Sequence, residues 1–279
     1  MTTKNSQTTG FLFGIYGYRC TYPITNEMFC ITPKFWDYKS VNEQFKNKEY
    51  LVLMATVELF CDRAEIEQQL FDLEGVLSFI EQSDVVILPK MNNFPEKIDR
   101  IWPRRSSGEI IIEDSFFQES RSNFIKLALN ALKNEAFRVS FFMVVEVLKQ
   151  RKNYINISYY LYFTSLESLC RHIEDDEKSS AEEVIYRVLN KKYGFDIKQA
   201  NPVHLNKGVS TYCAIRNALI HNQKFQTKLY MGNGIIKNIK ASDYVNYFYL
   251  LVPLVLLKFI GFDDTHINWE QWLNRRAFK

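Results

Sequence analysis

Residues 50–60, YLVLMATVELF, and residues 63–81, RAEIEQQLFDLEGVLSFIE, decide the fold class. The first is an apolar run rich in Val and Leu, and it reads as a central strand. In the second the period changes. Ile66, Leu70, Leu73, Leu77 and Ile80 recur at steps of four and three. That spacing is one face of an amphipathic helix from Arg63 to Glu81. Strand and helix in succession, with more strand signals on either side, predict an α+β unit.

Toward the N-terminus, Phe11–Tyr18 and Met28–Thr32 read as two further strands, separated by the turn-prone Tyr22-Pro23 and Thr25-Asn26. Residues 1–10 are polar and read as a tail, and Lys39–Glu49 as a loop. Toward the C-terminus, Val85–Leu88 is a short strand closed by Pro89, and Glu109–Glu113 brackets Ile110–Ile112 as another. Between them Met91–Gly108, with Pro95, Pro103 and Arg104-Arg105, reads as an exposed loop. Residues 1–112 are therefore read as a small α+β domain. They hold no glycine-rich phosphate loop and no paired carboxylates beside a histidine, which points to a regulatory or substrate-docking role.

After Ser115 the strand signals nearly stop. Helical spacing runs through Ser115–Gln150, Tyr154–His172, Ala181–Tyr193 (closed by Gly194), Val209–His221 and Tyr244–Ile260. Asp196–Gly208 reads as a loop, and Met231-Gly232-Asn233-Gly234 as the turn of a β-hairpin. Pro253 reads as a kink, and a short helix around Trp269 and Trp272 ends the chain. Residues 113–279 are read as an antiparallel helical bundle.

Bulk properties set limits. The 279 residues suffice for two domains, and 47% hydrophobic with 24% charged is ordinary for a globular protein. Net charge is +3, but residues 1–112 hold 12 Lys/Arg against 15 Asp/Glu, and residues 113–279 hold 23 against 17. The basic half suits an anionic partner. Cys20, Cys30, Cys61, Cys170 and Cys213 form no C-x-x-C pair and are odd in number, which predicts reduced thiols and a cytoplasmic protein. His172, His204, His221 and His266 lie at no ligand spacing with these cysteines, so no metal or other cofactor is expected. The most apolar run, Tyr247–Leu257, is too short for a membrane span of about 20 residues and reads as a buried helix.

One stretch carries chemistry: Arg216-Asn217-Ala218-Leu219-Ile220-His221. It sets a permanent cation, an amide and an imidazole within six residues. Such groups handle a phosphodiester without a metal: guanidinium neutralises phosphate charge, and imidazole moves protons near neutral pH. At about 100° per residue, Asn217 and His221 share a helix face while Arg216 lies about 140° from His221. Arg216 joins them only at a helix end or across a dimer axis. The structural alternatives are plain. His221 would bond the last carbonyls, Asn217 would cap, and Arg216 would pair with Glu167. Lys224 and Lys228, just beyond, would contact a phosphate backbone or form a solvated basic face.

Arg216-Asn217-x-x-x-His221, late in a helical bundle, resembles the signature of HEPN domains, and Leu166-Glu167-Ser168-Leu169 is similar to a pattern of ApeA-like groups. The resemblance covers roughly residues 115–262. It implies a metal-independent ribonuclease acting as a homodimer, often a toxin or an antiphage-defence effector. His221 would transfer protons, Arg216 would stabilise the phosphate, and Asn217 would orient the substrate or His221. The alternative is an inactive HEPN-fold module that binds RNA or protein.

Overall fold

The computed structural model describes residues 9–16, 18, 22–33, 53–89, 118–150, 154–230, 234, 236–264 and 267–274. The chain divides into two compact units, Met1–Asn130 and Ala131–Lys279. The expected strand at Glu109–Glu113 and the loops at Lys39–Glu49 and Met91–Gly108 lie outside the described residues.

The first unit is built on a five-stranded sheet. Its strands are β1 (Thr9–Tyr16), β2 (Ile24–Thr25), β3 (Phe29–Pro33), β4 (Leu53–Cys61) and β5 (Val86–Pro89). They lie in the order β2-β3-β4-β1-β5, and every pairing is antiparallel. The apolar run 50–60 thus supplies the central strand. Alternation does the rest: Phe13 pairs with Val57, Ile15 with Ala55 and Ile31 with Val57, and all five are buried. Side chains two apart share a face, so one register buries them together.

Helix α1 (Ile66–Glu81) follows β4 after one 3₁₀ turn and buries Leu73, Val76, Leu77 and Ile80. Helix α2 (Gln118–Ala131) belongs to this unit too, although its spacing had placed it with the later helices. Two contacts explain the grouping. Arg121, fully buried, donates to Glu81 at 2.9 Å and lies 5.0 Å over the Tyr18 ring. Phe124 stacks on Phe79 at 5.6 Å. A buried guanidinium left without its carboxylate is costly, so α2 is fixed to α1.

The second unit is mostly helical: α3 (Glu135–Lys149), α4 (Ile155–Glu174), α5 (Ala181–Tyr186), α6 (Val209–Asn222), α7 (Ala241–Phe259) and α8 (Gln271–Asn274). The chain continues from α5 as a π-helical turn over Arg187–Lys192, closed by Gly194 at φ 72°. The central helix is α4, which touches α3, α5, α6 and α7. Its Tyr159 and Phe163 meet Tyr212 of α6 and Phe248 of α7 in an aromatic core, with Phe248 centroids 4.9 Å from Tyr159, 5.0 Å from Tyr212 and 6.0 Å from Phe163. The Tyr159 hydroxyl donates to the Tyr212 carbonyl at 2.9 Å, so its polar end is satisfied inside the core.

Strands β6 (Gln226–Tyr230) and β7 (Ile236–Lys240) form the expected hairpin between α6 and α7. The run Tyr247–Leu257 lies in α7, with Phe248 and Leu251 to Leu257 all buried. Among the described residues no helix is long and apolar enough to cross a membrane. The mixture of helices with a small antiparallel sheet makes the protein α+β.

Candidate functional site

Helix α6 carries the Arg216–His221 stretch. Its start is set by Gly208, whose extended backbone leads in, and by Val209 and Ser210, whose amides donate to the Lys198 and Gln199 carbonyls. Its buried stripe is Tyr212, Ile215 and Leu219. It ends at Asn222, where Gln223 turns into the left-handed region at φ 50° and the Lys224 amide reaches back to the Ala218 carbonyl at 2.9 Å. His221 therefore stands in the last turn, exposed, with Asn217 exposed one turn earlier.

Arg216 is half-buried, its side chain 25% exposed. Three groups hold it. Its guanidinium lies 4.8 Å over the Phe163 ring. Nη2 donates to Glu167 Oε2 at 3.4 Å, and Nη1 donates to Asn217 Oδ1 at 3.1 Å. Phe163 and Glu167 are four residues apart on α4 and so share its face. Arg171 continues the same face, and its Nη2 and Nε donate to Glu167 Oε1 at 2.8 and 3.1 Å. Arg171 is itself anchored, since Nη1 donates to the Asp176 and Ser179 carbonyls at 3.1 Å each. One carboxylate thus lies between two guanidinium groups, leaving the trio with a net charge of about +1.

The structure brings Arg216, Asn217 and Glu167 together. His221 lies one turn beyond Asn217, and among the described residues no side-chain hydrogen bond joins it to Arg216 or Asn217. Lys224 and Lys228 are exposed, the first just beyond the helix cap and the second in β6. No group of three or more His, Cys, Asp or Glu close enough to hold a metal ion occurs among the described residues. The four described cysteines, Cys30, Cys61, Cys170 and Cys213, are free thiols. Cys213, three residues before Arg216, has its thiol pushed up to about 12, first by burial and then by the Glu182 carboxylate.

Phe163 and Arg171 were not singled out by the sequence reading. The signal existed: Phe163, Glu167 and Arg171 recur at i, i+4 and i+8 on one helix. What linear order withholds is that α4 lies beside α6, which puts that face under Arg216.

No family model, curated protein or solved structure matches the chain.

Proposed function

We propose that the chain is a metal-independent endoribonuclease of the HEPN kind, acting as a homodimer and serving as a toxin or antiphage-defence effector. One observation carries the reading: Arg216 is held over the Phe163 ring, beside the Asn217 amide, on the helix that ends in exposed His221. A guanidinium oriented in this way presents a rigid fork to phosphate oxygens.

The chemistry balances without a cofactor. The 2′-oxygen of a ribose attacks the adjacent phosphorus and gives up its proton. The P–O5′ bond breaks, and the departing 5′-oxygen takes a proton. The products are a 2′,3′-cyclic phosphate and a free 5′-hydroxyl. His221 moves the protons, Arg216 stabilises the charge on the phosphorane oxygens, and Asn217 orients the substrate. Because Arg216 and His221 lie on different faces of α6, a second α6 across a dimer axis completes the site.

A second reading has its own observation. Glu167 already faces Arg216, and Arg171 braces Glu167. Such a clasp is also what a purely structural ion-pair cluster looks like, in a module that binds RNA or protein without cutting. The decisive experiment compares wild type with Arg216→Ala and His221→Ala, each shown by circular dichroism and ultracentrifugation to fold and associate normally. RNA is incubated with each protein in EDTA and cyclic-phosphate ends are measured. The ribonuclease reading expects cutting by wild type and a loss of about a hundredfold or more in each variant. Intact RNA with wild type, or equal cutting by the variants, gives the field to the binding module.

A further inference from the structure

The β6–β7 hairpin leaves the bundle directly after the α6 cap and returns directly into α7. The Ala241 amide donates to the Phe225 carbonyl at 2.8 Å and closes its base. Its pairing, Gln226 with Lys240 through to Tyr230 with Ile236, sorts the side chains onto two faces. One face holds Leu229 and Ile239, both buried against the helices. The other holds Gln226, Lys228, Tyr230, Ile236, Asn238 and Lys240, all exposed.

The exposed face is unusual in two respects. Tyr230 is 71% exposed, and Ile236 opposite it is 51% exposed, so the ring is far from being covered by its cross-strand partner. The charge is also one-sided. Residues 223–242 include Lys224, Lys228, Lys237 and Lys240 and no Asp or Glu. Lys228 lies opposite Asn238, which makes Lys240 its diagonal neighbour at about 7–8 Å. Like charges on neighbouring positions of one face repel, and a polyanion laid along the ribbon relieves the repulsion.

We propose that this outward face is a track for single-stranded RNA. Tyr230 is its stacking platform, and Lys228 and Lys240 contact the phosphates. The choice of RNA as the polyanion rests on the ribonuclease reading. The preference for a single strand does not: an exposed aromatic ring binds a base only if the base's flat face is open, and in a duplex both faces are covered by neighbouring pairs. The track starts within a few residues of His221, so the strand it holds is led to the end of α6.

The test uses the full chain carrying His221→Ala, so that bound RNA survives, and a fluorescent oligouridylate of about 12 nucleotides. Anisotropy gives the affinity. Tyr230→Ala weakens binding about five- to hundredfold, whereas Tyr230→Phe keeps it, because the ring rather than the hydroxyl stacks. Lys228→Ala and Lys240→Ala each lower the slope of log affinity against log salt by about 0.7, a slope that Tyr230→Ala leaves unchanged. Unchanged binding by Tyr230→Ala, equal binding of an RNA duplex, or no binding of the oligouridylate overturns the track. Cleavage is measured separately with His221 intact. Cutting with hairpin-independent binding removes the track and spares the ribonuclease; hairpin-dependent binding without cutting spares the track and removes the ribonuclease.

Discussion

The guanidinium of Arg216 rests 4.8 Å above the ring of Phe163, and Phe163 is itself buried in the aromatic core of the helical unit. Replacing Arg216 by Lys keeps the charge but loses the planar fork and most of the stacking. On the ribonuclease proposal, the expected outcome is a drop in RNA cleavage of about tenfold or more with little change in melting temperature. Cleavage and thermal unfolding measured on the same preparation check it. An Arg216→Lys protein that cuts at the wild-type rate removes the fork from the mechanism.

Phe163→Leu separates support from packing. It preserves an apolar side chain in the core but takes away the ring under Arg216. Stability falls by about 1–2 kcal/mol, as volume changes in a packed core commonly do. On the ribonuclease proposal, cleavage falls further than the lost stability explains, because the folded fraction stays near unity while Arg216 loses its seat. Urea unfolding and single-turnover cleavage measure the two separately.

Glu167→Gln leaves Arg171 and Arg216 facing one another without the carboxylate between them. All three side chains are partly exposed, at 18–25%, so the loss is modest. We expect about 1 kcal/mol by chemical denaturation, shrinking as salt is added, since screening weakens both the lost attraction and the new repulsion. A loss independent of salt would show that packing rather than charge holds the cluster.

Among the described residues three helices end on a non-glycine residue in the left-handed region: α1 at Gln82, α4 at Asp175 and α6 at Gln223. For a side chain with a Cβ that conformation costs about 1–2 kcal/mol. Gln223→Gly should therefore stabilise the protein by up to about 1 kcal/mol while leaving the Arg216–His221 stretch untouched. An increase in urea midpoint with unchanged slope is the expected reading.

Acid sensitivity follows from Asp176, whose carboxyl is held well below the usual carboxylate range. Hydrogen bonds from Ser179 are the first cause, followed by those from Arg187 and the Lys178 amide. The sign is as for any carboxylate depressed by folding. The stabilisation is fully present above the unfolded value of about 4 and is lost as pH falls below it. Asp176→Asn should flatten the acid limb of stability below about pH 4 and lower stability at pH 7. Thermal melts at a series of pH values distinguish this from a uniform shift.

The continuous apolar run of 50–60 and the four-and-three spacing in 63–81 were enough to read the centre of the sheet and its helix. Both patterns are local, and local order is what a sequence displays. The start of α7 was harder to read. It begins at Ala241, three residues before the apolar spacing does, because Ala241-Ser242-Asp243 make a polar first turn. The grouping of α2 was also hidden. It depends on Arg121 meeting Glu81 across 40 residues, and neither residue signals a partner in its own neighbourhood. The left-handed caps escaped for a different reason: glycine normally marks them, and these three lack it. At the site, the Arg216–Glu167 proximity could be anticipated because opposite charges on neighbouring helices tend to meet. The Phe163 seat lay one step further, since it follows only once Glu167 is taken as the partner and Phe163 is placed one turn before it on the same face of α4.

The unequal sharing of Glu167 has a consequence for any ligand. Arg171 holds one oxygen at 2.8 Å, whereas Arg216 holds the other at only 3.4 Å. The protein has thus placed its own anion in front of Arg216 and gripped it from behind. On the ribonuclease proposal, a phosphate arriving there competes with Glu167, which keeps its shorter contact with Arg171. The exchange would break one long contact, while Asn217 and Phe163 keep Arg216 in place and Arg171 keeps the carboxylate paired.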